Sequence, residues 1–139
     1  MKRAHKDVVV ERFNKLDFHD DALLSLNIQP PPKFCEWLKR ASESADITMS
    51  VCIGARHLAK LGLPDGKMAT THHDFIKPYS EEFPKVHWVS GQRFVEGPKI
   101  ATSAGVTAGI DLALRVFERY FGRKKALEAA WVNEYQGTA

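Results

Sequence analysis

Cysteine is scarce in this sequence. There are two in 139 residues, Cys35 and Cys52, too few for a disulfide framework and read as free thiols. Glycine is absent before Gly54, which leaves the first third of the chain without the residue on which N–H-presenting turns are built. Long apolar runs are missing as well. None approaches the ~20 residues that span a bilayer, and the opening "MKRAHKDVVVERF" is basic but its apolar stretch is too short for a signal peptide. Charge of one sign is not concentrated: the formal net charge is +3, with Lys and Arg interleaved among Asp and Glu. The densest basic cluster, "GRKK" at Gly122–Lys125, falls at a junction between two helices, where cations suit a helix end better than a nucleic-acid patch. These absences lead us to expect a protein of the reduced cytoplasm, with no membrane, no nucleic-acid partner and no cofactor.

What is present fits one domain with one core: 44% of residues are apolar, 27% charged and 10% aromatic. Asp7–Phe13 reads as a strand. Asn14–Pro32 is irregular and ends in the proline run of "IQPPPKF", which forbids both helix and central strand. Residues 1–32 are therefore set apart from a folded domain over 33–139. Phe34, Trp37, Leu38 and Ala41 recur at helical spacing, so Lys33–Ser44 is expected to be an amphipathic helix. "DITMSV" has the short apolar run of a buried parallel strand. A short helix over Ala55–Leu61 stops at Gly62 and is followed by the turn "LPDG". Met68–Thr71 suits a brief strand, His73–Phe83 a helix broken or started near Pro78, and "VHWVSGQRFVEGPKIATS" two or three short strands. Trp88 is expected to point inward. From Thr107 a long helix sets Ile110, Ala113, Leu114, Phe117, Tyr120 and Phe121 on one face, ending at Gly122, and Lys124–Glu134 makes a last helix. Strand and helix alternating in this order make an α/β layered fold with a largely parallel sheet.

The chemistry gathers at the corner after that first buried strand. Ser50-Val51-Cys52-Ile53-Gly54 has the spacing of a nucleophile elbow, in which a side chain stands proud of a sharp strand-to-helix turn between small residues. Such a turn places sulfur at a helix N-terminus, whose N–H groups lower a thiol pKa and stabilise an oxyanion. Cys52 is accordingly expected to react ahead of Cys35, which sits in a helix and reads as a packing residue. A buried structural cysteine at a strand end is the competing reading of Cys52, and the spacing alone leaves both open.

"SVCIGARHLAKLGLPDGKMATTHH", followed by "RFVEGPKIATSAGVTAGIDLALRVFERYFG", resembles the ThiJ/PfpI family of the class I glutamine amidotransferase-like superfamily, over about Phe34–Gly137. The cysteine elbow, the "ATTH" strand and "TSAGVTAGIDLAL" occur in the family's order, and the nearest branch is that of isonitrile-hydratase-like proteins, which share "TSAGVTAGID" with sensor domains of AraC-type regulators. Peptidase-like members place His after the nucleophile. Ile53 stands there in this chain. The resemblance implies a flavodoxin-like three-layer α/β sandwich with a mostly parallel sheet, a homodimer, and the Cys52 thiolate as nucleophile toward a small electrophilic substrate such as an isonitrile. It further implies Ile53 and Gly54 as donors of oxyanion-binding N–H groups, Gly54 as a close-packing elbow glycine, and Thr102, Ser103, Ala104 and Gly105 as the "TSAG" loop lining the site.

Family members open with a strand and helix that supply an Asp or Glu beside the cysteine, and carry a "PGG"-type turn where this chain has "IQPPPKF". We therefore expect an N-terminally incomplete or replaced domain. Glu11 and the Asp20–Asp21 pair are the conceivable substitutes for the acid; His19 beside that pair makes only a weak metal motif. His72 reads either as a proton relay for Cys52 or as a histidine hydrogen-bonded at a strand end. His57 reads as a surface residue, and Asp111 as an acid placed in the first turn of the long helix to favour its N-terminus. Two functions remain in view: a thiolate enzyme of the isonitrile-hydratase kind, and a ligand- or redox-sensing domain without turnover.

Overall fold

A computed structural model describes residues 31–137. The strand read at Asp7–Phe13, and Glu11, His19, Asp20 and Asp21, lie outside the described residues. Helix α1 (Pro32–Ser44) starts inside the proline run, with Pro31 as N-cap and Pro32 at the first helical position. A proline is tolerated there because that N–H has no intrahelical partner in any case. The proline run that bars a helix thus begins one. Strand β1 (Thr48–Val51) follows, then a 3-10 turn over Cys52–Gly54 and helix α2 (Ala55–Lys60).

Strand β2 (Met68–Ala69) is shorter than the expected Met68–Thr71 because Thr70 turns its hydrogen bonds elsewhere. A 3-10 turn over His73–Phe75 leads into α3 (Ile76–Glu82), which accepts Pro78 in its first turn. Strands β3 (His87–Trp88), β4 (Phe94–Glu96) and β5 (Ile100–Ser103) precede the long helix α4 (Val106–Phe121) and α5 (Arg123–Val132). Among the described residues no helix is long and apolar enough to cross a membrane.

Strand β1 pairs in parallel with β5, in the register Thr48↔Ile100 to Val51↔Ser103, and β4 pairs antiparallel on the other side of β5. A second parallel pair joins β2 to β3. The main core lies between α4 and the first sheet: Ile47, Met49, Ala101, Leu112 and Val116, with Phe94 against them. A smaller core joins Ala59, Ala69 and Val86, with Phe83 and the half-buried Trp88 packed on it. Period-2 alternation explains the first cluster, since Ile47, Met49 and Val51 share the β1 face that α4 covers. That approach is close. A Cβ on Gly109 would sit 2.7 Å from Val51 Cγ1, so only glycine lets α4 lie down on the strand that leads to Cys52.

The face of α4 that meets the sheet is not the expected one. Ala108, Gly109, Leu112 and Val116 are buried, whereas Ile110, Ala113, Tyr120 and Phe121 are exposed and Leu114 and Phe117 half-buried. Two apolar stripes run along this helix, and the one with the smaller residues wins because it permits the closer helix–sheet contact. Gly122, at φ +85°, ends α4 in a conformation that favours glycine and starts α5 directly.

Candidate functional site

Strand β1 delivers Cys52 into a backbone conformation that L-residues avoid. Its φ is +58°, and among non-glycine described residues only Glu134 shares a positive φ. Such a conformation costs about 1–2 kcal/mol per residue, so neighbouring groups must hold it. They do so from both sides: the Cys52 N–H donates to Ala104 O at 2.9 Å, and Thr71 Oγ1 donates to Cys52 O at 2.9 Å. The β1 corner, the Thr70–His72 segment after β2 and the loop after β5 are thereby drawn to one point.

The thiol is partly exposed, free and accepts the Ile53 N–H. Burial pushes its pKa up and the Ile53 N–H pulls it down, and burial is the larger cause. The lowering expected from a helix N-terminus is not the outcome. Helix α2 has only six residues and follows a 3-10 turn, so it brings a short dipole to a half-buried sulfur. The elbow glycine is also less constrained than its spacing suggests: a Cβ on Gly54 would meet Ser50 Cβ at 3.7 Å, an ordinary contact. Buried Tyr79 supports the turn from α3, its hydroxyl 3.5 Å from Ile53 O, and burial pushes that phenol well above its usual range.

The "TSAG" residues divide by task. Thr102 and Ser103 are buried and tie the sheet together: Thr102 Oγ1 accepts the Thr70 N–H at 2.7 Å, and Ser103 Oγ donates to Ser50 O at 3.4 Å. Ala104 and Gly105 instead line an open cleft of about 380 Å³, shared with Thr71, His72, Arg93 and Thr107. Cys52 is beside this cleft through its bonds to Thr71 and Ala104 but is not one of its lining residues. His72 faces the loop across the cleft, its Cδ2 3.9 Å from where a Gly105 Cβ would stand. Its Nδ1 accepts the Asp74 N–H at 3.4 Å and its ring stacks on His73 at 4.2 Å. The hydrogen bond of His72 therefore runs to Asp74, the pattern of a histidine capping a turn. Ligand atoms of His72, His73 and Asp74 lie within 4.8 Å of one another. They are the described residues best placed to hold a metal, although His73 and Asp74 are exposed and His72 Nδ1 is already engaged.

Sequence reading missed a charged cluster on the other wall of the cleft. Asp111 lies in the second turn of α4, not the first, and its side chain is 1% exposed. Arg93 Nε donates to Asp111 Oδ2, Tyr135 Oη donates to Asp111 Oδ1, and Arg93 Nη2 donates to Thr107 Oγ1 at 3.3 Å. The carboxylate pushes both the Arg93 guanidinium and the Tyr135 phenol up. An aspartate on the buried stripe of α4, beside Ala108 and Leu112, was the available signal. His57 is likewise not a surface residue; it is half-buried, edge-on to Phe34 at 5.7 Å, and burial, then Lys60 and Arg56, push its pKa down.

A profile of the DJ-1/PfpI family matches residues 24–119. The HTH-type transcriptional regulator CdhR of Pseudomonas aeruginosa is 31% identical over 99 residues, which are 71% of this chain and 29% of that protein. The isonitrile hydratase of Pseudomonas putida is 33% identical over 90 residues, 63% of this chain and 37% of that one. A crystal structure of a ThiJ/PfpI family protein from Pseudomonas syringae superposes with a TM-score of 0.67 at 26% identity, covering 78% of this chain and 43% of that one. The chain spans about a third of the length of the curated relatives it matches.

Proposed function

This chain belongs to the DJ-1/PfpI family and has its flavodoxin-like α/β fold, and on that premise we propose that Cys52 is a thiol nucleophile toward a small electrophile, isonitrile hydration being the reaction it fits best. The observation that carries this reading is the φ of +58° at Cys52, at the end of a buried strand and with the Ile53 N–H directed at sulfur. Strain at a single reactive side chain, held by its surroundings, is characteristic of functional positions. In the proposed reaction sulfur adds to the terminal carbon of R–NC while the thiol proton is carried to that carbon, giving a thioimidate, R–N=CH–S–Cys52. Water then adds to the same carbon and the thiol leaves with its proton restored, giving R–NH–CHO. Because burial favours the protonated thiol, this chemistry requires a base to take the proton from sulfur and return it. The protein is read as a cytoplasmic homodimer.

A second reading has its own support. A thiol pushed up by burial, beside a cleft it does not line, suits a ligand- or redox-sensing domain, and the similarity to a transcriptional regulator extends over 71% of the chain. Incubation with a small alkyl isonitrile and mass-spectrometric detection of the formamide separate the two. Turnover lost in Cys52→Ala supports the enzyme. No formamide from the wild-type chain overturns the enzyme, and saturable binding of the isonitrile without product is the sensor's signature.

A further inference from the structure

We propose that Asp111 is a positioning residue for Cys52, acting through Arg93 and the backbone of Ala104. The path is continuous. Asp111 holds the Arg93 guanidinium at Nε, with Thr107 bracing it at Nη2. The Arg93 carbonyl accepts the Ala104 N–H at 2.8 Å, and the Ala104 carbonyl accepts the Cys52 N–H at 2.9 Å. Fixing the guanidinium fixes the end of the segment before β4, which fixes the loop after β5, which fixes one of the two bonds that keep Cys52 at positive φ. The second partner of Asp111, Tyr135, brings the segment after α5 to the same carboxylate.

Stability alone does not call for this cluster. A carboxylate with a 1% exposed side chain, set between Ala108 and Leu112 on the stripe facing the main core, is desolvated at a cost that apolar residues of similar volume would avoid. Its partner Arg93 is half-exposed, so the pair is not a sealed ion pair packed for its own sake. A polar residue that breaks the local pattern and leads, through Arg93 and two backbone hydrogen bonds, to the strained backbone that carries the reactive side chain is placed for that side chain. This inference rests on the reading of Cys52 as the reactive group, but it is tested without substrate, so that absence of turnover and absence of positioning are separate results.

The test uses the full chain and three variants: Asp111→Asn, Arg93→Lys and, as a control, Arg115→Met, which cuts the surface pair of α4 with Glu96. Alkylation of Cys52 by iodoacetamide is followed by mass spectrometry well below the melting temperature, with Cys35 as internal reference. The Cys52 and Ala104 amide resonances are recorded in parallel. Loss of the tether frees the corner and exposes the half-buried thiol, so the Cys52/Cys35 rate ratio is expected to rise about tenfold, the population factor equivalent to ~1.4 kcal/mol. The Cys52 amide proton moves upfield as its bond to Ala104 weakens. The control leaves both unchanged. A lower melting temperature with a rate ratio within twofold of wild type and unmoved amides makes Asp111 merely structural and overturns the inference, as does a ratio that falls. If Asp111→Asn fails to fold, Arg93→Lys decides by the same criteria, because it keeps the charge and removes only the fork that grips the carboxylate.

Discussion

Replacing Cys52 by glycine and by alanine separates its strain from its chemistry. Both variants lose the thiol, but only glycine adopts φ +58° without a clash between Cβ and backbone. Alanine keeps the ~1–2 kcal/mol cost of the left-handed conformation. Glycine avoids it and loses ~0.5–1 kcal/mol to the greater freedom of the unfolded chain. The difference leaves Cys52→Gly more stable than Cys52→Ala by about 0.75 kcal/mol. For a domain of about a hundred residues, 1 kcal/mol shifts the midpoint by ~4–8 °C, so glycine should melt about 3–6 °C higher. Cys35 supplies the opposite control, since it lies inside α1, where glycine costs ~0.8–1.0 kcal/mol relative to alanine. The assay is thermal unfolding by circular dichroism on four single variants. Alanine equal to or above glycine at position 52 would refute the strained corner, and with it the structural basis for reading Cys52 as functional.

The remaining predictions concern pH and assembly. Burial raises the folded Cys52 pKa above its unfolded value, so the unfolded state gives up this proton first, and the contribution present below pH ~8.5 is lost as pH rises through the folded value. Wild type should therefore lose stability relative to Cys52→Ala as pH rises above about 8.5 in urea melts; parallel curves would show a thiol at its ordinary value, and a relative gain would show one below it. The outward stripe of α4, where Val106 is 66%, Ile110 42% and Phe121 50% exposed, should drive association at micromolar concentration. Light scattering that gives a monomer for wild type, or the same dimer for wild type and Ile110→Glu, would remove this face from the assembly.

How far the sequence could be read depended on whether a signal was local. The strand before Cys52, the stop at Gly122 and the turn grammar around "LPDG" are set by neighbours within a few positions, and the fold agrees with them. The orientation of α4 is not local. Its larger stripe has the stronger apolar pattern, yet the deciding contact is Gly109 against Val51, 58 positions apart in sequence and 2.7 Å apart at a hypothetical Cβ. Helix α1 agrees with the expected Lys33–Ser44 except that it starts one residue earlier, at Pro32, because prolines that break a helix interior are favoured at its first position. At the site, Cys52 was legible because an elbow is a five-residue pattern. The Arg93–Asp111–Tyr135 cluster was not, because its members lie 18 and 24 positions apart. The direction of the Cys52 shift was also closed to sequence, since burial of the sulfur depends on what packs around it.

The energies at the corner explain why the loop after β5 matters as much as the cysteine. A strained φ costs about 1–2 kcal/mol, whereas one backbone hydrogen bond contributes a net ~0.5–1.5 kcal/mol. Neither the Ala104 bond nor the Thr71 bond reliably offsets the strain alone, whereas the two together contribute ~1–3 kcal/mol, which matches it. Thr71 is itself buried, next to Thr70, whose N–H bonds Thr102, so its tether is anchored in the sheet. Ala104 has no comparable side chain and is fixed through its N–H to Arg93. The weaker of the two anchors is therefore the one that Asp111 braces. A catalytic thiol and a sensing thiol both need this rigidity. What distinguishes them is the proton: hydration requires a group that takes it from sulfur and delivers it to carbon, while sensing requires only that the thiol be held where ligand or oxidant meets it.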